Sequence, residues 1–236
     1  GYNGFDVLED GYGINLRPLS MFAERVYRDD PCTCFLPQIL DKNIYDAVDP
    51  KLAAKMHKAI TVIQFKVEGQ ITKRHPDYQI NDRIHLEHIN FEKGTVNIHG
   101  KDYKMLDMNF PTIDPKDPLK LTKEEQELIH NLALSFHHSE TLHRHIRFVY
   151  SHGAMYKRCN GNLLYHGCIP MKEDGTFEEL KLKGIIYSGK RLLDYIEDAV
   201  KMAYFLPEDD PTKDWYRDFM WYLWCGPKSP VYGKDN

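Results

Sequence analysis

Twelve histidines and five cysteines are the residues of this 236-residue chain best suited to bind a metal or move a proton. The most pointed placement lies in NGNLLYHGCIPMKEDG, residues 160–175. There a turn at Asn160-Gly161-Asn162 leads into the apolar run Leu163, Leu164 and Tyr165. His166 and Gly167 follow at once, and Pro170 fixes an extended exit. The pattern predicts a strand that ends at His166, with Gly167 letting the chain bend away. Two readings stay open on these residues alone. His166 is either a packed histidine that closes a strand or a metal ligand presented at a strand tip. A rigid sheet fixes a neutral imidazole's aim, and Gly167 brings no side chain to obstruct an approaching ion.

The other histidines carry weaker signals. LIHNLALSFHHSETLHRHIRF holds His130, His137, His138, His143 and His145 on an expected helix. A zincin helix needs H-E-x-x-H so that two imidazoles lie one turn apart. His138 and His143 are instead separated by about 500° of helical rotation and diverge. A solvated helix face is the plainer reading. His85, His88 and His99 fall in an alternating segment, but no carboxylate or cysteine set joins them. Cys32-Thr33-Cys34 is C-x-C, not the C-x-x-C of a zinc knuckle. No G-x-S-x-G or Walker loop is present, and the G-x-G of DGYGIN lacks a preceding strand. Arg74, Arg144, Arg147 and Arg158 read as surface or ion-pair residues.

These residues need elements to position them, and the composition supplies a core. Apolar residues make up 42 % and the net charge is −4, which argues against a nucleic-acid binder. No apolar run approaches the roughly 20 residues that span a bilayer. An odd cysteine number in a chain of this size argues against a disulfide framework and for a reducing, cytoplasmic compartment. Both ends are abrupt, so an internal piece of a longer chain is expected.

The periodicities predict an α+β chain. Helices are expected over 18–28, ended by Asp29-Asp30-Pro31, and from Asp49-Pro50 to about residue 73. A small antiparallel meander is expected over 83–106 and a rigid, linker-like loop over 110–120. A capping box at Thr122 and Glu125 opens one long helix, 122–149, with Leu128, Leu132, Phe136, Leu142, Ile146 and Val149 on its buried stripe. A hairpin over 154–168, a helix over 189–205 and an aromatic helix after Asp210-Pro211 complete the chain. The latter carries Trp215, Tyr216, Phe219, Trp221, Tyr222 and Trp224.

NGNLLYHGCIP, SETLHRHIRFVYSHGAMY and DFMWYLWCGPKSPVYGKD strongly resemble class III fructose-1,6-bisphosphatases, bacterial members of the calcineurin-like metallophosphoesterase superfamily. LEDGYGINLRPL, DDPCTCFLP and KMHKAITVIQFKVEGQITKRHPDY match the same family, so the likeness covers the whole chain. The resemblance implies part of a metallophosphatase α/β/β/α core, residues 1–30 and 121–236, with a mostly helical insertion over 31–120 that carries the meander. It implies hydrolysis of a small sugar bisphosphate, fructose-1,6-bisphosphate, in gluconeogenesis, at a two-metal site that takes Mn²⁺. Of the superfamily motifs D-x-H, G-D-x-x-D-R-G, G-N-H-[DE], a histidine followed by Gly, and a late G-H, only the fourth is here, as His166-Gly167. His166 is then one metal ligand, and the general acid lies outside this chain. Lys228 and Lys234 are candidate contacts for substrate phosphate. The chain alone is expected to be inactive, and to self-associate through an incomplete sheet near Leu163, Tyr165 and Ile169. Two rival readings remain. One is another metallophosphoesterase, a protein phosphatase or nucleotidase. The other is a non-catalytic partner-binding or regulatory domain, suited by exposed aromatics over 215–224.

Overall fold

Leu19, Phe22 and Ala23 recur at helical spacing, and the computed structural model, which describes residues 4–37 and 49–232, buries them on helix α1, Arg17–Val26. Ahead of it, Val7–Gly11 forms a short π-type helical turn. Helix α2, Pro50–Arg74, begins with Pro at its first position, which fits the fixed φ of proline. The chain divides into two compact units, 1–74 with 81–145 and 75–80 with 146–236.

In the first unit, α1 and α2 share a core of Leu19, Phe22, Tyr27, Ala59 and Ile63. Two lysines lie inside this unit. Lys58 and Lys66, both on α2, are fully buried. The Lys58 Nζ donates to Asp30 Oδ2 at 2.5 Å and to Asp107 Oδ2 at 2.6 Å. The Lys66 Nζ donates to Glu125 Oε2 at 2.8 Å and to the Thr112 carbonyl at 2.7 Å. The residues 110–120 are therefore not a linker. Ile113 and Leu119 are buried with Val62, Ile84 and Leu86, and Thr112 takes a charged hydrogen bond.

The meander is shorter than expected. Residues His85–His88 form a 3₁₀ turn, because Ile84 and Leu86 both point into the core. The strands are β1, Ile89–Asn90, β2, Thr95–Ile98, and β3, Lys101–Lys104, in antiparallel order β1-β2-β3. Turns over 91–94 and 99–100 join them. The expected long helix is two: α3, Lys123–His138, and α4, Glu140–His152. Ser139 breaks it, with its hydroxyl donating to the Tyr12 carbonyl at 2.6 Å and accepting the Leu142 N–H at 3.3 Å. The Thr122–Glu125 capping box is present at the start of α3. The expected stripe is buried only at Leu128. Phe136 and Val149 are exposed.

The second unit contains the hairpin β4, Tyr156–Cys159, with β5, Asn162–Tyr165, and a second hairpin, β6, Glu179–Leu182, with β7, Ile185–Ser188. Helix α5, Gly189–Phe205, and helix α6, Lys213–Cys225, follow. Their core holds Tyr78, Leu180, Leu182, Ile196, Phe219 and Tyr222. The aromatics of α6 are thus mostly inside. Phe219 and Tyr222 are fully buried, and of the six only Trp224 is exposed, at 76 %. That removes the exposed aromatic face on which a partner-binding domain rested. The architecture is α+β, with small antiparallel sheets among the described residues.

Removing one member of a buried ion pair leaves the other charge unpaired in a low-dielectric site. Lys66→Met should therefore lower unfolding stability by about 3–5 kcal/mol in denaturant titration. Adding Glu125→Leu should recover most of that loss, less the reciprocal cap. Acid should act through Asp30. Burial works to raise its pKa, but Lys58, the Cys32 N–H and Asn109 outweigh it and hold the carboxyl below its ordinary value. The unfolded chain then binds more protons in this window, so Asp30's contribution is full above about pH 4 and is lost as pH falls through its folded value. A stability–pH profile should lose that acid-side slope in Asp30→Asn.

Candidate functional site

The hairpin β4–β5 is set by its turn. Asn160 and Gly161 both have positive φ, 51° and 76°, the geometry that matches the right-handed strand twist. Cys159 then opposes Asn162, and Tyr156 opposes Tyr165. Tyr165 ends β5, so His166 follows directly on the strand's carboxyl end, as the sequence predicts. An isolated two-stranded ribbon is marginal in water. This one is tied to α5 by Tyr156, whose hydroxyl donates to Asp194 Oδ1 at 3.0 Å, and by the Met155 N–H to Glu197 Oε2 at 3.2 Å. The His166 side chain is exposed and makes no hydrogen bond among the described residues.

Gly167 has another purpose than leaving room for an ion. Its φ is +78°, and a Cβ there would overlap the Pro230 carbonyl oxygen. The space beside Gly167 is filled by the backbone of residues 230–231. The next amide, Cys168 N–H, donates to that same carbonyl at 2.8 Å. The segment carrying Lys228 is thereby brought against the turn that carries His166. Lys228 itself is committed in part: its Nζ donates to Glu178 Oε1 and to the Glu179 carbonyl, each at 3.0 Å. The Glu179 N–H and then Lys228 hold the Glu178 carboxyl below its usual range. Lys234 lies outside the described residues.

The remaining candidates disperse. Glu173 and Asp174 sit on an exposed turn, where the Asp174 carboxylate accepts from the Thr176 hydroxyl and N–H. His138 and His143 lie on different helices, α3 and α4, and the His143 ring bonds the His137 carbonyl. The His145 ring meets Tyr12, and the His85 ring meets Phe65. His88 Nδ1 donates to the Asn97 carbonyl at 3.3 Å. All five cysteines are free thiols. Among the described residues, no group of three or more His, Cys, Asp or Glu side chains is arranged to hold a metal ion. The His166 imidazole is therefore at most a single donor here, not a complete metal centre among the described residues. Sequence reasoning missed the contact of residues 228–232 with Gly167 and Cys168, for which no local pattern exists.

Over residues 1–236 the chain matches the family model described as Firmicute fructose-1,6-bisphosphatase. The chain belongs to that family. It is 51 % identical over 233 residues to the class 3 fructose-1,6-bisphosphatase of Clostridium novyi, covering 99 % of this chain and 35 % of that protein. The proteins of the same name from Clostridium tetani and Listeria innocua are 52 % and 48 % identical, over 100 % of this chain and 35 % and 36 % of theirs. The chain thus spans about a third of the length of these relatives. No solved structure matches it. Among the described residues no helix is long and apolar enough to cross a membrane.

The Lys228–Glu178 pair is about a third exposed, so its net worth is small. Lys228→Met should cost under about 1 kcal/mol in thermal or urea unfolding. A much larger loss would mean that the pair, and not the Pro230 contact, holds this segment in place.

Proposed function

We propose that this chain forms part of a bacterial class 3 fructose-1,6-bisphosphatase, a phosphoric monoester hydrolase that converts fructose-1,6-bisphosphate to fructose-6-phosphate and phosphate in gluconeogenesis. The observation that carries the reading is 51 % identity, across 99 % of this chain, to a protein of that name. In the longer enzyme, residues 1–30 and 121–236 contribute to the metallophosphatase core. Residues 31–120 are its helical insertion, whose helix α2 packs onto α1. The enzyme works in the cytoplasm.

In this reading His166 is one ligand of a two-metal Mn²⁺ centre whose other ligands come from the rest of the protein. When bound, the metals lower the pKa of a bridging water and neutralise phosphate oxygens. His166 contributes a ring nitrogen lone pair, so it must be neutral to ligate. Its exposed position at the end of β5 leaves that lone pair accessible. Lys228 and Lys234 are the cations proposed for substrate phosphate. Lys228 keeps a partly exposed ammonium, 38 % accessible, although it shares its charge with Glu178. Leu163, Leu164 and Tyr165, each about half exposed, form an apolar strand that the rest of the enzyme covers and through which the isolated chain self-associates.

One imidazole cannot fix two divalent cations, because each needs several ligands. The purified 236-residue chain with excess Mn²⁺ should neither turn over fructose-1,6-bisphosphate nor retain two ions. Robust turnover by the isolated chain would falsify the site assignment. In the full-length enzyme, His166→Ala should cut turnover by about a hundredfold or more and lower the Mn²⁺ content, since loss of a mere supporting contact already costs about 10–100-fold. Full activity with full metal occupancy would remove His166 from the site.

A further inference from the structure

We propose that Ser229 is the positioning residue of His166: its buried hydroxyl shapes residues 228–232 so that the Pro230 carbonyl fixes Gly167 and Cys168, and with them the direction of the imidazole. The proposal rests on the reading of His166 as a metal ligand.

Histidines that hold metals are normally aimed by a hydrogen bond from the second ring nitrogen. Among the described residues, the His166 ring has none. Among the described residues, what holds it is the backbone on either side. On the amino side, β5 is paired with β4 up to Tyr165. On the carboxyl side, two bonds close the turn. The Cys168 N–H donates to the Pro230 carbonyl at 2.8 Å, and the Glu178 N–H donates to the Pro170 carbonyl at 3.0 Å. Gly167 lies just before them at a positive φ, with the Pro230 oxygen where a Cβ would be.

The Pro230 carbonyl is therefore the fixed point, and Ser229 holds it. Ser229 is 1 % exposed. Its hydroxyl donates to the Leu223 carbonyl at 2.7 Å and accepts the Val231 and Tyr232 N–H groups, each at 3.3 Å. One donor and two acceptor sites are the whole capacity of a hydroxyl, and all three are used. Leu223 belongs to α6 and is buried beside Phe219 and Tyr222. The hydroxyl thus couples the buried aromatic core of this unit to the turn that presents His166. Lys228, on the other side of Ser229, bonds Glu178, whose N–H holds Pro170. Both ends of the His166 turn are joined to one five-residue segment.

The test uses the full-length enzyme and Mn²⁺ alone as the probe. Ser229→Ala should weaken Mn²⁺ binding by about 10–100-fold, the range for losing a group that orients a ligand. It should lower kcat by a similar factor, with KM for fructose-1,6-bisphosphate nearly unchanged. In the metal-free protein, the Cys168 amide should exchange its hydrogen faster, while amides in the middle of α5 keep their protection. Pro230→Gly, which keeps the carbonyl but loosens its carrier, should act in the same direction and serves if Ser229→Ala fails to fold. If His166→Ala loses Mn²⁺ while Ser229→Ala and Pro230→Gly bind it as the parent does, the positioning role is wrong and the ligand reading stands. If His166→Ala binds Mn²⁺ as tightly as the parent, the ligand reading itself has failed. Weakened binding with unchanged Cys168 exchange would overturn the route through Pro230.

Discussion

The Glu125 carboxylate lies at zero exposure and serves two structures at once. It completes the capping box of α3 by accepting the Thr122 N–H, and it accepts the Lys66 ammonium from α2. A buried carboxylate without that cation would be costly, so α3 can start only where α2 delivers Lys66. The Thr122 cap, the Thr112 carbonyl and the packing of Ile113 and Leu119 are all fixed by the same requirement. Lys58 repeats the device about two helical turns earlier on α2, against Asp30 and Asp107. Asp30 in turn accepts the Cys32 N–H and the Asn109 amide, so it orders the chain leaving α1 and a loop near residue 109. Apolar replacements of similar volume would give comparable stability. What the charges add is a single permitted alignment of α2 with its neighbours.

The second unit adds other means to its own ion pairs, His75 with Asp218 and Lys213 with Glu208. Its interior is aromatic, with Phe219 stacked between Trp215 and Tyr222 and with Tyr222 against Tyr78. Its fine placement depends on backbone carbonyls and one hydroxyl. Pro230 brings a neutral carbonyl next to the His166 turn, and the fixed cation of the segment, Lys228, is already paired with Glu178.

Local grammar in the sequence went far where the cause was local. Asp49-Pro50 marks the start of α2, and Asn160-Gly161 between two short runs sets the register that puts His166 at a strand end. The limits are physical. Lys58 and Lys66 read as solvated positions on an amphipathic helix, since nothing local announces the carboxylates 28 and 59 residues away that admit them to the core. Ser139 sits inside an unbroken helical periodicity, and only its bond to Tyr12 makes it a break. Ile84 and Leu86 alternate as a strand does, yet two buried residues at that spacing also fit a 3₁₀ turn. The hairpin β6–β7 was legible and overlooked: Lys183-Gly184, both at positive φ, separates ELKL from IIYS. The clamp on Gly167 joins residues 61 or more apart, and no periodicity encodes it.

Gly167 shows how a correct placement can rest on an incomplete cause. The residue beside a candidate ligand was expected to be small so that an ion could approach. The structure gives it a different constraint, a left-handed backbone against the Pro230 carbonyl. The two causes differ in what they ask of the protein. Room for an ion would tolerate any nearby movement that kept the space open. Contact with a carbonyl tolerates less, because moving the oxygen one way stretches the Cys168 bond and moving it the other way drives it into the Gly167 Cα. The backbone that carries His166 is then held on both sides, by its pairing with β4 and by the Pro230 carbonyl, and a short ribbon gains from that contact a support it lacks alone.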